Sequence, residues 1–176
     1  AGGSWLYRQI TTAALATGDV HAADLDGDGD VDALFPSFLD NKVLWCANDG
    51  AGNFGAPQTI TTAASGALGV YAADLDADGD LDVLSASNFD NKIAWYENLG
   101  GGAFGPQQVV TTALSSATDV YAEDLDGDGD LDVLSASYGG DNVAWYENVG
   151  GGAFGPLQLI SNAADAMADS PERRIT

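Results

Sequence analysis

Basic residues are scarce in this chain. Five Lys and Arg stand against 27 Asp and Glu, a formal net charge of −22. Nucleic acid is excluded as a partner on that balance, because neutralising phosphates takes Lys and Arg. An anionic membrane surface is excluded for the same reason. There is one cysteine, Cys46, so no intrachain disulfide forms and cysteine usage does not fix the redox compartment. No apolar run approaches the roughly 18 residues of a membrane span, so membrane insertion is not expected. There is no Asn-x-Ser/Thr sequon and no signal-peptide pattern. A chain that opens on Ala1 is expected to be a processed form or a piece of something longer.

Catalytic groups are equally thin. His21 is the only histidine, and its counterparts 50 and 100 residues on are Tyr71 and Tyr121. A packing or rim role therefore fits it better than catalysis. Cys46 stands where Tyr96 and Tyr146 stand, as a small buried filler. Glu97 and Glu147 recur one unit apart, but an acid/base pair is not tied to a structural period. The glycine run at 100–102 joins two strands with no helix after it, which rules out a phosphate loop. No nucleophile–base pairing and no zinc site emerges, so the chain is not expected to be an enzyme.

Apolar residues are plentiful, at 45% of 176 residues, enough for one ordinary folded domain. The acids are concentrated. DLDGDGDVD at 24–32 places five aspartates in nine positions, and near-copies return at 74–82 and 124–132. Trp45, Trp95 and Trp145 keep the same spacing, as do Asn48, Asn98 and Asn148 and the Phe-Gly pairs that begin at 54, 104 and 154. Residues 69–112 and 119–162 share 29 identities in 44, an ungapped repeat of 50 residues.

Each unit reads as four short strands. In the second unit these are Val70–Asp74, Leu81–Ser87, Ile93–Asn98 and a last strand from Phe104 to Thr112, with the acidic loop between the first two. Val, Ile, Tyr, Trp and Thr fill the strands, and Gly, Asn and Asp fill the turns. No stretch carries a helical period. Ile93 and Trp95 point one way, Ala94 and Tyr96 the other; Leu81 and Val83 oppose Leu84 and Ala86. Both faces are apolar or small, so each sheet is sandwiched between neighbours. At that spacing the tryptophans are expected to form core between sheets rather than sugar platforms. Four-stranded sheets repeating every 50 residues are propeller blades, an all-β fold. The expected division is an extra N-terminal strand over 1–12, blades at 13–62, 63–112 and 113–162, and a C-terminal tail over 163–176.

The unit resembles the FG-GAP/VCBS repeat of integrin α-subunit-like β-propellers. The resemblance rests on the DxDxDGxxD loop, the WYEN strand end and the Phe-Gly-(Ala)-Pro segment, and it covers about residues 5 to 162. It implies calcium binding in the loop between the first two strands of each blade. The first unit departs from the pattern. Trp45-Cys46-Ala47-Asn48 replaces Trp-Tyr-Glu-Asn, and Leu34-Phe35-Pro36 stands in the Val-Leu-Ser-Ala segment. Pro36 lacks a backbone donor, so a bulge or an early strand end is expected there. Ser4-Trp5-Leu6-Tyr7 is expected to supply a fourth-type strand without a blade of its own.

Loop chemistry supports the same metal. Calcium takes six to eight oxygens at about 2.3–2.6 Å. Positions 1, 3, 5 and 9 of each loop offer carboxylates, position 7 a carbonyl, and glycine at position 6 the bend. The expected ligands are Asp24, Asp26, Asp28, the Asp30 carbonyl and Asp32; Asp74, Asp76, Asp78, the Asp80 carbonyl and Asp82; and Asp124, Asp126, Asp128, the Asp130 carbonyl and Asp132. An EF-hand is excluded, since position 12 is Phe35, Ser85 or Ser135 rather than Glu and no helix flanks the loop. All-oxygen ligation excludes zinc and copper. Three ions, one per repeat, are expected to pin the hairpins.

Three blades are fewer than the four to eight of a closed propeller. The ends are expected to be covered by further blades of a longer chain or by other copies of this one. The functional expectation is a non-catalytic extracellular module for adhesion, protein interaction or assembly. A lectin-like reader of neutral glycans, or an accessory binding domain of a secreted polysaccharide-active enzyme, is the alternative. An extracellular location follows from the resemblance and from calcium loops suited to millimolar calcium.

Overall fold

A computed structural model describes residues 8–162. It contains twelve strands in three four-stranded antiparallel sheets. The first holds β1 (His21–Ala23), β2 (Asp32–Ser37), β3 (Lys42–Cys46) and β4 (Gln58–Thr61). The second holds β5 (Ala67–Ala73), β6 (Asp82–Ser87), β7 (Lys92–Tyr96) and β8 (Gln108–Thr111). The third holds β9 (Ala117–Glu123), β10 (Asp132–Ser137), β11 (Asn142–Tyr146) and β12 (Gln158–Asn162). In each sheet the strands lie side by side in chain order, a meander with the acidic loop joining its first two strands. The architecture is therefore all-β and propeller-like, with sheets that do not close into a ring. The described residues include one 3-10 turn, Phe38–Asp40, and no helix long and apolar enough to cross a membrane.

The sheets stack face to face, because both faces of each strand are apolar. Leu25, Leu34, Val43 and Trp45 of the first blade pack against Val70, Val83, Ala94 and Tyr96 of the second. Leu75, Leu84, Ile93 and Trp95 of the second repeat that packing against Val120, Val133, Ala144 and Tyr146 of the third. Trp45 and Trp95 are thus core between blades, as their spacing predicts. Cys46 is fully buried in a smaller cluster with Ala33, Phe35 and Leu44. His21 stacks on Tyr71 at 4.5 Å, and Tyr71 on Tyr121 at 4.4 Å, so the position is a packing one across the three first strands.

The first blade holds the differences from expectation. Pro36 sits inside β2, paired with Val43 in an unshifted register, with neither a bulge nor an early end. The reason lies in β1, which has three residues against seven in β5 and β9 and begins only opposite Leu34. At Pro36 the strand has no β1 neighbour, so the missing donor breaks no ladder on that side. Residues 8–12, the described part of the expected N-terminal strand, join no sheet. Ser4-Trp5-Leu6-Tyr7 and the tail from 163 onward lie outside the described residues.

Candidate metal centre

Each acidic loop is a chain of side-chain-to-backbone hydrogen bonds. In the first, Gly27 and Gly29 N–H donate to the two oxygens of Asp24, both at 2.9 Å, and Asp30 N–H donates to Asp28 Oδ1 at 2.9 Å. Gly29 takes φ +92°, a left-handed value that glycine reaches without strain. Gly79 and Gly129 repeat it at φ +99° and +100°. The aspartates thereby wrap the loop around a common point and turn oxygens inward.

Three oxygens per loop converge. Carboxylate oxygens of Asp24, Asp26 and Asp32 lie within 4.8 Å of one another; so do those of Asp74, Asp76 and Asp78, and of Asp124, Asp126 and Asp132. A cation about 2.4 Å from each ligand spans about that separation. The donors are all oxygen, which suits a hard cation. The residues fit such an ion, one per repeat.

The remaining aspartates of the loops take other positions. Asp28 and Asp128 accept from the next backbone N–H at position 7, at 2.9 and 3.0 Å, outside the tight triads of their loops. Asp82 is outside the triad of the second loop. The position-7 side chains of Asp30, Asp80 and Asp130 lie against Gly50, Gly100 and Gly150 of the later turn, so a contribution from position 7 falls to its carbonyl.

Position 9 has a second task that its place in the loop does not announce. Asp32, Asp82 and Asp132 are fully buried. Asp82 accepts from Leu75 N–H at 2.9 Å and from Asn98 N–H at 2.8 Å. Asp32 does the same with Leu25 and Asn48, and Asp132 with Leu125 and Asn148. One carboxylate thus ties the start of the loop to the end of the third strand. Burial pushes the Asp82 carboxyl up to about 6, against the pull of its two N–H donors. Asp26, Asp76 and Asp126 are also raised, first by removal from water, with repulsion from neighbouring loop aspartates adding to it. Carboxylates held close against their own repulsion are stabilised by a bound cation.

The recurrent asparagines form a link that the sequence pattern marks without explaining. Asn98 Nδ2 donates to the Leu81 carbonyl of its own blade at 3.0 Å and to the Leu25 carbonyl of the preceding blade at 2.8 Å. Asn148 repeats this with Leu131 at 3.1 Å and Leu75 at 2.7 Å. The acidic loop of one blade is thereby fastened to the blade that follows. Strict recurrence of Asn at a strand end was the available signal.

The FG-GAP-like repeat family matches residues 24–85, 74–135 and 124–171. The chain belongs to that family. No curated protein matches it in sequence. Among solved structures it is similar to a lectin of Agrocybe aegerita that recognises non-reducing terminal N-acetylglucosamine. That likeness has TM-score 0.58 and 24% identity, over 82% of this FG-GAP-like chain and 38% of the lectin. It is also similar to BBS1N, solved in complex with ARL6DN, with TM-score 0.54 and 14% identity over 84% of this chain and 45% of that one. The FG-GAP-like repeats here span less than half the length of either structure.

Proposed function

We propose that this chain is a non-catalytic, calcium-binding β-propeller repeat module that works outside the cell in adhesion, protein interaction or assembly. Calcium holds each blade: it neutralises the crowded carboxylates and fixes the loop that position 9 ties to its own blade and the recurrent asparagine ties to the next. The observation that carries this reading is the convergence of three aspartates in each of the three repeats, with oxygen the sole donor type. Calcium fits better than magnesium, which keeps more of its water and suits a dense carboxylate cage poorly. Calorimetric titration of the metal-free protein tests it. Three calcium ions per chain are expected; no heat and no change in folding on adding millimolar calcium would overturn it.

A lectin-like function is the second reading, and one feature favours it. Exposed aromatics recur at the turn between the second and third strands. Phe89 and Tyr138 are exposed there, and Phe38 packs edge-on against Phe89 at 4.8 Å. Apolar rings on a turn suit the faces of neutral sugars. The similarity to a lectin supports the same reading at the level of fold. Glycan-array binding that includes terminal N-acetylglucosamine, lost in Phe89→Ala or Tyr138→Ala, would favour it; no glycan bound in calcium would remove it.

A further inference from the structure

The three acidic loops share a spacing but differ at one backbone position. Position 4 is Gly27 in the first loop and Gly127 in the third, but Ala77 in the second. All three residues hold a left-handed backbone, at φ +76°, +84° and +65° respectively. Glycine adopts that conformation freely, whereas the Cβ of alanine crowds the following carbonyl. Ala77 is exposed, so only the loop itself holds it there. The strain is confined to the backbone: no described atom lies within 4 Å of a Cβ built on Gly27 or Gly127.

The hydrogen bonds and the converging oxygens of the second loop differ as well. The position-4 N–H donates to Asp24 Oδ1 at 2.9 Å in the first loop and to Asp124 Oδ1 at 2.8 Å in the third. In the second loop Asp74 Oδ1 accepts instead from Asp78 N–H, at 3.1 Å. The converging carboxylates of the first and third loops include the buried position-9 aspartates, Asp32 and Asp132. In the second loop the exposed Asp78 takes that place and Asp82 stands outside. The second cluster therefore rests on an exposed carboxylate where the other two rest on one anchored in the sheet.

On the reading of these loops as calcium sites, we infer that the second is the weakest of the three and the first to empty as calcium falls. Ala77 is the residue that sets it apart. Without a cation, repulsion among the aspartates opens the loop, and Ala77 relaxes to ordinary backbone. Binding has to restore the left-handed conformation, and that cost lowers the affinity of this site by about tenfold. Gly27 and Gly127 carry no such cost. The effect reaches a seam. Leu75, between Asp74 and Asp76, donates its N–H to Asp82 at 2.9 Å, and its carbonyl accepts from the Asn148 amide of the third blade at 2.7 Å. The joint of the first two blades hangs on Leu25 of the first loop instead. Emptying the second loop loosens the joint of the second and third blades while the other stays closed. Calcium concentration thereby grades the stiffness of the stack.

The test is calorimetric titration of the metal-free chain with calcium, paired with hydrogen exchange followed by NMR at stepped calcium concentrations. Two sites of like affinity and one about tenfold weaker are expected. Ala77→Gly and Ala77→Asn are each expected to bring the weak site level with the others, since asparagine also tolerates left-handed backbone. Gly127→Ala is expected to leave one tight site and two weak ones. As calcium is lowered, the amides of Leu75 and Gly79, both donated to loop aspartates, are expected to lose protection before those of Leu25 and Gly29. The Asn148 side-chain amide is expected to be released before that of Asn98. Three equal sites, unchanged by Ala77→Gly, would defeat the proposal and leave the calcium reading standing. A weak site that maps to the first or third loop would defeat it too. No calcium bound at all would remove both.

Discussion

The side-chain amide of Asn98 donates to the main-chain carbonyl of Leu25, 73 residues earlier, at 2.8 Å in a buried setting. Leu25 lies inside the first acidic loop, between Asp24 and Asp26, while Asn98 lies two residues past β7 of the next blade. The geometry of an acidic loop and the packing of two blades are therefore one structural unit. Replacing Asn98 with Ala leaves the Leu25 and Leu81 carbonyls without this donor. The expected cost is about 1–3 kcal/mol in chemical denaturation. Asn48→Ala, which breaks no bond to another described blade, is expected to cost less.

Trp95→Ala removes a fully packed indole between two sheets and is expected to cost about 3–5 kcal/mol. Trp145→Ala, at a half-buried position, is expected to cost about a third as much when measured on dilute protein. Urea unfolding of both variants in saturating calcium makes the comparison.

Asp82 sets the sign of the pH dependence in the calcium-free protein. Burial raises its folded pKa from 3.8 to about 6, so the folded state holds this proton more tightly than the unfolded chain. That contribution to stability is fully present below pH 4 and is lost as pH rises through about 6. In chelator, the melting temperature is expected to fall between pH 4.5 and 7. With calcium the carboxylates are ionised against a cation, and the slope is expected to flatten or reverse.

Much of this was legible in the sequence, and the reasons are physical. The aspartates recur every 50 residues, so the loops and the period of 50 read directly, and in each loop three of them converge. The apolar residues on both faces of Ile93–Tyr96 reported a sandwiched sheet, and Ile93 and Trp95 do face one neighbour while Ala94 and Tyr96 face the other. Pro36 misled because the rule against proline in a strand assumes a partner on each side, and the shortness of β1 removes one. The Asn98 link was hidden because it joins residues far apart in sequence, and no local pattern encodes its partner. The position-9 aspartates were legible as acids of the loop but not as buried ties, since burial depends on how the third strand returns.

Asp76→Asn combined with Asp78→Asn removes two of the three converging carboxylates of the second loop and spares the buried Asp82. Calcium bound per chain is expected to fall from three ions to two, measured by calorimetry or by metal analysis after dialysis. The first and third loops are expected to keep their affinity.

Thermal melting with and without calcium shows whether calcium holds the blades. A site with free calcium at tenfold its Kd contributes about 1.4 kcal/mol. Three sites together give a clear rise in melting temperature that continues with the logarithm of calcium concentration past saturation. That rise is expected, and so is its loss on adding EDTA. A melting temperature that EDTA leaves unchanged would contradict it.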